Sequence, residues 1–274
     1  MYKIADKKIL NAEVQRFTVE APDIARARKA GQIVILRLDE SGERIPFTIV
    51  SSDLTRGTID IISQVVGKTT YFLSRLNPGD SILDVIGPLG KPTQVEYFGN
   101  VAGIGGGVGI APLLPITTAL KEHGNRITSI LGARNKQLLI LEDDMRKVSN
   151  ELIVATDDGS YGTKGLVTHR LKEIIDTGKK IDLVIAVGPV IMMKAVAELT
   201  LPYRIKTMVS LNPIMVDGTG MCGACRCIVD GKTRYACTEG PEFDGHQVDY
   251  DSLMLRQRMF KKHEKLAYER CKHK

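Results

Sequence analysis

Four of the five cysteines in this 274-residue chain lie within sixteen residues, as Cys222, Cys225, Cys227 and Cys237. A stabilising disulfide framework would spread its cysteines along the chain, whereas so tight a group is typical of a metal site. Glycines at 218, 220 and 223 let the backbone turn closely around a bound group. The pattern predicts a small metal-binding domain near the C-terminus, and we call residues 217–237 the cluster loop.

The spacing in the cluster loop indicates a [2Fe–2S] site. Plant-type sites use C-x4-C-x2-C and a distant fourth cysteine. Cys222 and Cys225 fit the C-x2-C step, Cys237 fits the distant ligand, and Asp217 stands where the first cysteine is expected. The fourth ligand is either the Asp217 carboxylate or the Cys227 thiolate. Spacing favours Asp217, because residues 225 and 227 of an extended strand point to opposite faces.

Zinc is the rival metal for this loop. Zinc ribbons use two C-x2-C pairs on separate knuckles, and this chain has one pair and a lone distant cysteine. The pattern therefore favours an iron–sulfur cluster, with Asp217, Cys222, Cys225 and Cys237 as its predicted ligands. Cys271, in a basic tail, is interpreted as a bystander.

The remaining chain divides into segments of different pattern. Short β-branched runs separated by turn signals predict an antiparallel β-barrel over residues 1–98, with one helix at 69–76. Apolar runs that alternate with helical stretches predict an α/β domain over 99–206, with a parallel sheet covered by helices on both faces. The metal domain follows at 207–252 and includes a hairpin around Asp230 and Gly231. A basic helical tail completes the chain at 253–274, with Leu255, Met259 and Leu266 on one stripe.

Individual elements follow from the same patterns. The predicted strands cover residues 32–38, 47–50, 58–62, 101–104, 128–131, 151–155, 182–187 and 207–211. The predicted helices of the α/β domain begin near Ala111 and after Pro189, and a third covers 138–148.

A glycine-rich loop at residues 103–112 follows the first predicted strand of the α/β domain. A backbone turn that opens a helix suits a phosphate group, although the register of the standard G-x-G-x-x-G fingerprint is absent and a tight packing turn is the alternative. Asp157 and Asp158 follow another strand, and Gly188 and Pro189 follow a third. Because ligands bind beyond the carboxyl ends of parallel strands, these loops predict one nucleotide site. Met192 either lines that site or packs in the core.

The formal charge of +6 resides in the tail, where residues 253–274 carry eight Lys or Arg and two Glu. The other 252 residues are neutral overall, so the basic balance does not indicate a nucleic-acid-binding face. No apolar run is long enough to span a bilayer, and the N-terminus lacks the apolar region of a secretory signal. We expect a cytoplasmic protein with no nucleic-acid partner and no membrane association.

Together these motifs resemble the ferredoxin-reductase-like flavoproteins. Within them the chain is similar to electron-transfer subunits of dihydroorotate dehydrogenase. It is more closely similar to small subunits of NADH-dependent reduced ferredoxin:NADP+ oxidoreductases, also described as sulfide dehydrogenases. Asp217 and the segment 251–260 are the features that favour the second group. The resemblance is carried by residues 44–48, 67–70, 105–112, 157–160, Gly188, Pro189 and the cluster loop.

The resemblance implies FAD on the barrel, NAD(H) on the second domain and a [2Fe–2S] cluster at the C-terminal end. The implied FAD contacts are Arg44, Pro46, Phe47, Thr48, Ser63, Gln64, Val65, Gly67, Lys68, Thr69 and Thr70. The implied NAD(H) contacts are Gly106, Gly107, Gly109, Ala111, Pro112, Asp157, Asp158, Gly188, Pro189 and Met192. Arg44 is displaced by one residue from the family's arginine, whose position holds Ile45.

The resemblance further implies an oxidoreductase subunit without a catalytic acid or base. It would oxidise NAD(P)H at FAD and pass single electrons through the cluster to a larger flavin and iron–sulfur subunit, with ferredoxin as an indirect partner. Flavin-based electron bifurcation, sulfide dehydrogenation and service to a dihydroorotate dehydrogenase are the alternative settings. The alternative outside enzymes is a zinc-containing nucleotide-binding regulator.

Overall fold

The computed structural model describes residues 1–272, so the final two residues of the predicted tail lie outside the described residues. The N-terminal domain is built from two antiparallel sheets. Its strands are β1 (Tyr2–Ile9), β2 (Val14–Glu20), β3 (Ile33–Arg37), β4 (Ile45–Thr48), β5 (Ser51–Asp53), β6 (Thr58–Gln64), β7 (Ser81–Ile82) and β8 (Asp84–Leu89). Its helices are α1 (Pro22–Ala27) and α2 (Lys68–Arg75).

The two sheets enclose one apolar core. The five-stranded sheet has the order β5-β6-β2-β1-β7, and the three-stranded sheet has the order β4-β3-β8. Phe17, Val34 and Ile61 are fully buried between them, and Leu73 of α2 closes the core from one side. The antiparallel barrel and the helix predicted near 69–76 are confirmed.

The second domain is a sheet with helices on both faces. Its strands are β9 (Asn100–Gly106), β10 (Arg126–Ala133), β11 (Glu151–Thr156), β12 (Thr163–Lys164), β13 (Leu183–Val187) and β14 (Lys206–Ser210). Its helices are α3 (Ile110–Glu122), α4 (Glu142–Val148), α5 (Val167–Asp176) and α6 (Val190–Thr200). These strands are parallel in the order β12-β11-β10-β9-β13-β14, as the alternating pattern predicts.

Helix α4 begins four residues later than the prediction of a helix over 138–148. Leu141 adopts a left-handed conformation with φ 57° immediately before the helix. The acidic residues Glu142, Asp143 and Asp144 then occupy the first turn, where the helix dipole favours negative charge. Leu139 and Leu141 instead pack on the apolar core shared by α3 and the sheet.

The C-terminal segment forms the predicted hairpin and then returns to the parallel sheet. Strands β15 (Arg226–Val229) and β16 (Lys232–Tyr235) pair around the Asp230–Gly231 turn, and β17 (Glu242–Asp244) pairs antiparallel with β14. The β14 strand, which crosses the predicted boundary at 206/207, belongs to the parallel sheet. The predicted metal-binding segment is therefore joined to the parallel sheet by backbone hydrogen bonds.

The basic tail forms two helices, α7 (Tyr250–Arg258) and α8 (Lys261–Lys272). Leu253 is buried, whereas the predicted stripe of Leu255, Met259 and Leu266 is exposed. Helix α8 instead packs on α2 of the barrel, where the rings of Tyr268 and Tyr71 lie 6.0 Å apart. Among residues 1–272, no helix is long and apolar enough to cross a membrane.

One titratable side chain lies where the three parts of the chain meet. Glu242, at the start of β17, accepts a hydrogen bond of 2.5 Å from Thr93 Oγ1 in the segment between the first two domains. Gly31 lies so close that a Cβ there would approach the Glu242 carboxylate to 2.6 Å. Burial raises the pKa of Glu242 to about 7. The junction therefore favours the neutral carboxyl group.

This geometry predicts a pH-dependent stability. Between the unfolded pKa near 4.5 and the folded pKa near 7, the folded protein holds a proton that the unfolded chain has released. The free energy of unfolding therefore falls as pH rises through that window. In Glu242→Gln this contribution to the fall disappears, and the loss of Tm between pH 5 and pH 8 should be smaller by roughly 4–5 °C. The matched control is Glu40→Gln at an exposed site. Equal pH profiles for wild type and Glu242→Gln would contradict the assignment.

Candidate functional site

A large cavity lies between the barrel and the carboxyl ends of the parallel strands. Its volume is about 850 Å³, which lies in the range of small-molecule and cofactor sites. From the barrel it is lined by Pro46, Phe47 and Thr48 of β4, together with Gln64 and Thr70. From the second domain, the predicted residues that line it are Gly106, Gly107, Gly109, Ala111, Pro112, Asp157, Gly188, Pro189 and Met192. The structure thus brings fourteen of the predicted nucleotide-site residues into one cavity.

The glycine-rich loop both packs and leaves space for a ligand. A Cβ at Gly109 would lie 2.4 Å from the Val187 carbonyl oxygen, and one at Gly106 would lie 2.4 Å from Met192 Sδ. Gly107 differs, because its φ is +56° and no atom lies within 4 Å of its would-be Cβ. Gly107 therefore presents bare backbone to the cavity, as close contact with a phosphate or a nicotinamide requires. Met192 likewise lines the cavity and packs against the loop.

Seven predicted residues do not line the cavity: Arg44, Ser63, Val65, Gly67, Lys68, Thr69 and Asp158. Ser63 is buried on the face of β6 opposite Gln64, as strand alternation requires. Thr69 Oγ1 donates to Glu43 Oε2 at 3.0 Å. Asp158 Oδ1 accepts from the Ser160 backbone N–H at 2.9 Å, a bond that lowers the pKa of this carboxyl.

The start of α2 remains accessible to a ligand. Gly67 caps the helix, and no atom lies within 4 Å of a Cβ built on it. The Thr70 hydroxyl accepts hydrogen bonds from the Val66 and Gly67 N–H groups at 3.1 and 3.0 Å. A helix N-terminus with open space in front of it favours an anion such as a diphosphate.

Several cavity residues are missing from the sequence-based predictions. Arg134 follows the carboxyl end of β10, so its position after a parallel strand was an available signal. Asn212, Pro213 and Met215 follow β14 and form the wall on the C-terminal side. That wall depends on the β14–β17 pairing, for which the local sequence carries no signal.

In the cluster loop, two of the predicted thiol ligands are adjacent. The sulfur atoms of Cys225 and Cys237 lie 3.1 Å apart, and both side chains are buried and free. The Cys237 N–H also donates to Cys225 Sγ at 3.5 Å. Burial and the neighbouring Cys225 thiol raise the pKa of Cys237. Two buried thiols in contact disfavour the anionic form unless a cation compensates it, which is what a metal supplies.

Asp217 and Cys222 approach each other through the backbone. Asp217 Oδ2 accepts from the Cys222 N–H at 2.7 Å, and Oδ1 accepts from the Thr219 N–H at 2.9 Å. These bonds lower the pKa of Asp217 and keep it ionised. The Cys222 thiol is exposed at the loop surface. As the side chains stand, no three His, Cys, Asp or Glu groups within residues 1–272 converge on one metal position.

Cys227 lies on the hairpin rather than in the turn. Its thiol donates to the Arg234 carbonyl oxygen across the β15–β16 pair at 3.6 Å. Burial raises the pKa of Cys227 to about 11. The Cys227 thiol donates to a backbone carbonyl group, whereas the Cys225 thiol donates to the sulfur of Cys237.

The chemical types of the donors fit an iron–sulfur cluster, although their side chains do not converge on one metal position. Three thiols and one ionised carboxylate lie on a loop whose glycines at 218, 220 and 223 have φ of +79°, +83° and +65°. Backbone N–H groups point to sulfur in two places, including Ala224 N–H to Cys222 Sγ at 3.5 Å. Such donors are typical of cluster sites, where they adjust the potential.

The cavity and the cluster loop share one continuous segment. Residues 210–213 and 215 line the cavity, and Asp217 lies two residues further on, about 7 Å along an extended chain. Gly218 packs on the barrel, because a Cβ there would lie 2.6 Å from Leu89 Cδ1. The two candidate sites are therefore neighbours in space.

Comparison with known families agrees with this layout. An oxidoreductase FAD-binding domain matches residues 1–94, an oxidoreductase NAD-binding domain matches 104–198, and the iron–sulfur cluster binding domain of dihydroorotate dehydrogenase B matches 212–249. The fold and these domains define an oxidoreductase subunit of the ferredoxin-reductase type, which confirms the predicted fold class and enzyme class.

Individual relatives show to which family of these oxidoreductase subunits the chain belongs. The dihydroorotate dehydrogenase B electron transfer subunit homolog of Thermotoga maritima is 49% identical over 96% of this chain and 93% of the relative. The corresponding subunit of Desulforamulus reducens is 33% identical over 92% and 100%. A chain in the structure of an NADH-dependent reduced ferredoxin-NADP oxidoreductase, described for flavin-based electron bifurcation, is 46% identical with a TM-score of 0.93 over 98% and 97%. This protein belongs to the family of dihydroorotate dehydrogenase B electron-transfer subunits and their homologues.

The geometry of the glycine-rich loop predicts the effect of Gly107→Val. A β-branched side chain at φ +56° is strained and would occupy the open space over the loop. We expect NADH affinity to fall at least about tenfold, while FAD content stays unchanged. Equilibrium titration of NADH under anaerobic conditions measures this effect. Gly178→Val is the matched control, because Gly178 also has a positive φ (+76°) and no atom within 4 Å of its would-be Cβ but does not line the cavity. It should leave NADH affinity unchanged, and unchanged affinity in Gly107→Val would assign the loop to packing alone.

Proposed function

We propose that this chain binds FAD and NADH side by side in the cavity, holds a [2Fe–2S] cluster in the cluster loop, and passes electrons from NADH to a larger flavin and iron–sulfur subunit. The observation that carries the proposal is the segment 210–217, which forms the cavity wall and then leads into the predicted cluster ligands. This shared wall supports the proposal that electrons pass between the two redox groups. FAD supplies two-electron hydride chemistry, and the cluster supplies one-electron transfer.

The barrel side of the cavity is assigned to FAD. Pro46, Phe47 and Thr48 form a short strand along the wall, and Thr48 carries a hydroxyl for the polar edge of the flavin ring. The open N-terminus of α2 at Gly67 is assigned to the diphosphate. Arg44 is exposed and does not line the cavity, so the assignment of phosphate binding rests on the backbone at α2.

The opposite side of the cavity is assigned to NADH. Gly107 offers bare backbone, and Arg134 offers a cation for the dinucleotide phosphates. Asp157 also lines the cavity and provides a carboxylate that can accept from ribose hydroxyls. These residues bind and orient the dinucleotide, and hydride transfer to a flavin needs no protein acid or base.

The proposed cluster ligands are Asp217, Cys222, Cys225 and Cys237. Asp217 is favoured over Cys227 by two observations. The Asp217 carboxylate is ionised and tied to the Cys222 backbone, whereas the Cys227 thiol is buried on the hairpin and bonded to Arg234. A carboxylate keeps the ligand charge of −1, so the charge balance of a four-thiolate site is preserved.

The proposed electron path ends at the cluster, so a partner subunit is needed to receive the electrons. Each NADH would supply two electrons, and a bound [2Fe–2S] cluster would carry them one at a time. Met221, at the tip of the cluster loop, is 89% exposed, and the neighbouring Cys222 is also exposed. We assign this surface, together with the exposed Leu255 and Met259 of the tail, to the partner. Ferredoxin would then act on the partner and not on this chain.

A second possible role is electron transfer to a dihydroorotate dehydrogenase, which the names of the sequence relatives favour. The structural neighbour from a ferredoxin-NADP oxidoreductase favours the bifurcating complex instead. A sulfide dehydrogenase activity would use the same subunit. Purification from the native source distinguishes these settings by the partner that remains bound to the chain.

The chemistry is tested by anaerobic addition of NADH to the isolated chain. We expect loss of flavin absorbance and, by electron paramagnetic resonance, the signal of a reduced [2Fe–2S] cluster. Flavin reduction without a cluster signal would contradict the proposed electron path. A colourless protein that contains zinc would support the nucleotide-binding regulator and overturn the proposal.

The ligand assignment predicts how four substitutions affect the cluster. Cys237→Ser should lower iron content at least about tenfold and leave FAD bound. Asp217→Cys should keep the cluster and shift its potential. Cys227→Ser and the control Cys271→Ser should retain full iron content. Iron and acid-labile sulfide analysis measures each of them, and loss of the cluster in Cys227→Ser would transfer the fourth position from Asp217 to Cys227.

A further inference from the structure

Two arginine side chains donate hydrogen bonds to consecutive backbone carbonyl groups of the cluster loop. Arg226 Nη1 donates to the Gly223 oxygen, and Arg256 Nη2 donates to the Ala224 oxygen, both at 3.0 Å. These two carbonyl groups belong to the two residues that separate Cys222 from Cys225 in the C-x2-C motif. Arg226 belongs to the hairpin, whereas Arg256 comes from α7 and follows Ala224 by thirty-two residues. Neither interaction follows from the cysteine spacing.

The two guanidinium groups differ in their exposure to water. Arg226 is exposed, and Arg256 is half-buried between α7 and the loop. Desolvation and the nearby Arg226 lower the pKa of Arg256, while Cys225 and Cys227 act in the opposite direction. An arginine stays charged under all ordinary conditions. A cation thus remains beside the cysteine sulfurs in a partly dehydrated position, where charges interact more strongly than at the surface.

Helix α7 also holds the cavity wall. Gln257 Nε2 donates to the backbone and side-chain oxygens of Asn212 at 2.9 and 3.0 Å. Asn212 lines the cavity. Two adjacent residues of α7 therefore hold the two sites. The charged Arg256 holds the cluster loop, and the uncharged Gln257 holds the wall of the cavity.

We propose that Arg256 is a positioning residue of the redox centre, which holds the step between Cys222 and Cys225 and raises the reduction potential of the cluster bound there. One-electron reduction adds one negative charge to the cluster and its ligands. A fixed positive charge nearby stabilises the reduced form more than the oxidised form, since Coulomb attraction grows with the added charge. The inference rests on the proposed function, because it requires that a cluster is bound.

The other charges at the loop do not cancel this effect. Asp217 and Glu239 are the carboxylates that act on the cysteines of the loop. The Glu239 carboxylate is already paired with Arg234 at 2.8 Å. Arg226 adds a second cation, but water and salt screen it more because it is exposed. We therefore expect Arg256 to have the larger influence on the potential.

The test is a redox titration of the cluster in the purified, cluster-loaded chain, with dithionite as the electron donor and electron paramagnetic resonance as the readout. Arg256→Gln should lower the ratio of reduced to oxidised cluster about tenfold at a fixed ambient potential, which is a shift of about 59 mV for a one-electron couple. Arg226→Gln should give a smaller shift that decreases in high salt. Arg256→Lys should lie nearest to wild type.

Two controls come from the same helix. Arg258→Gln removes the same charge at an exposed position, and Gln257→Ala removes a hydrogen bond without removing a charge. Both should leave the cluster potential at the wild-type value. Equal shifts in Arg256→Gln and Arg258→Gln, or no shift in Arg256→Gln, would overturn the inference.

The outcomes separate this inference from the proposed function. If wild type contains no iron and sulfide, the proposed function fails and the inference fails with it. If wild type is loaded and Arg256→Gln titrates unchanged, only the inference fails. If Arg256→Gln assembles no cluster, the other two variants carry the test. The cluster potential of Arg226→Gln must lie below that of Arg258→Gln, and the potential of Arg256→Lys must lie nearer to wild type than that of Arg226→Gln. Any other result overturns the inference.

Discussion

The pairing of β17 with β14 is the interaction on which both sites depend. Backbone hydrogen bonds between these strands bring the chain back from the metal-binding hairpin to the parallel sheet, so the segment after β14 forms the cavity wall before it enters the cluster loop. The Glu242 hydrogen bond to Thr93 ties the same strand to the segment that joins the barrel to the sheet. Without this return, the cluster loop would have no fixed position relative to a flavin in the cavity.

Glycine has two different uses around the cavity. Gly109 and Gly106 allow backbone and side chains of the second domain to pack closely, and Gly218 allows the cluster loop to pack on the barrel. Gly107 and Gly67 have no neighbour within 4 Å of a Cβ and so leave space for a ligand. Close packing therefore accounts for Gly106 and Gly109, whereas binding of a nucleotide stays a prediction for Gly107, whose open space is compatible with it.

Much of the architecture could be predicted because it is encoded locally. The period of the apolar residues indicated the barrel, the parallel sheet and the hairpin, and strand ends placed Gly107, Asp157 and Gly188 at one sheet edge. The β14–β17 pairing, the Asn212 wall and the contact of Arg256 with Ala224 could not be predicted, because each joins residues distant in sequence. Asp158 and Ser63 show a finer limit, since a turn and strand alternation direct their side chains away from the cavity.

The central claim is that a two-iron cluster lies beside a flavin in one chain. Its most direct test is analysis of the isolated polypeptide, prepared without oxygen, for iron, acid-labile sulfide and FAD. We predict two iron atoms and two sulfides for each FAD. A protein that binds FAD but contains neither iron nor labile sulfide would contradict the account.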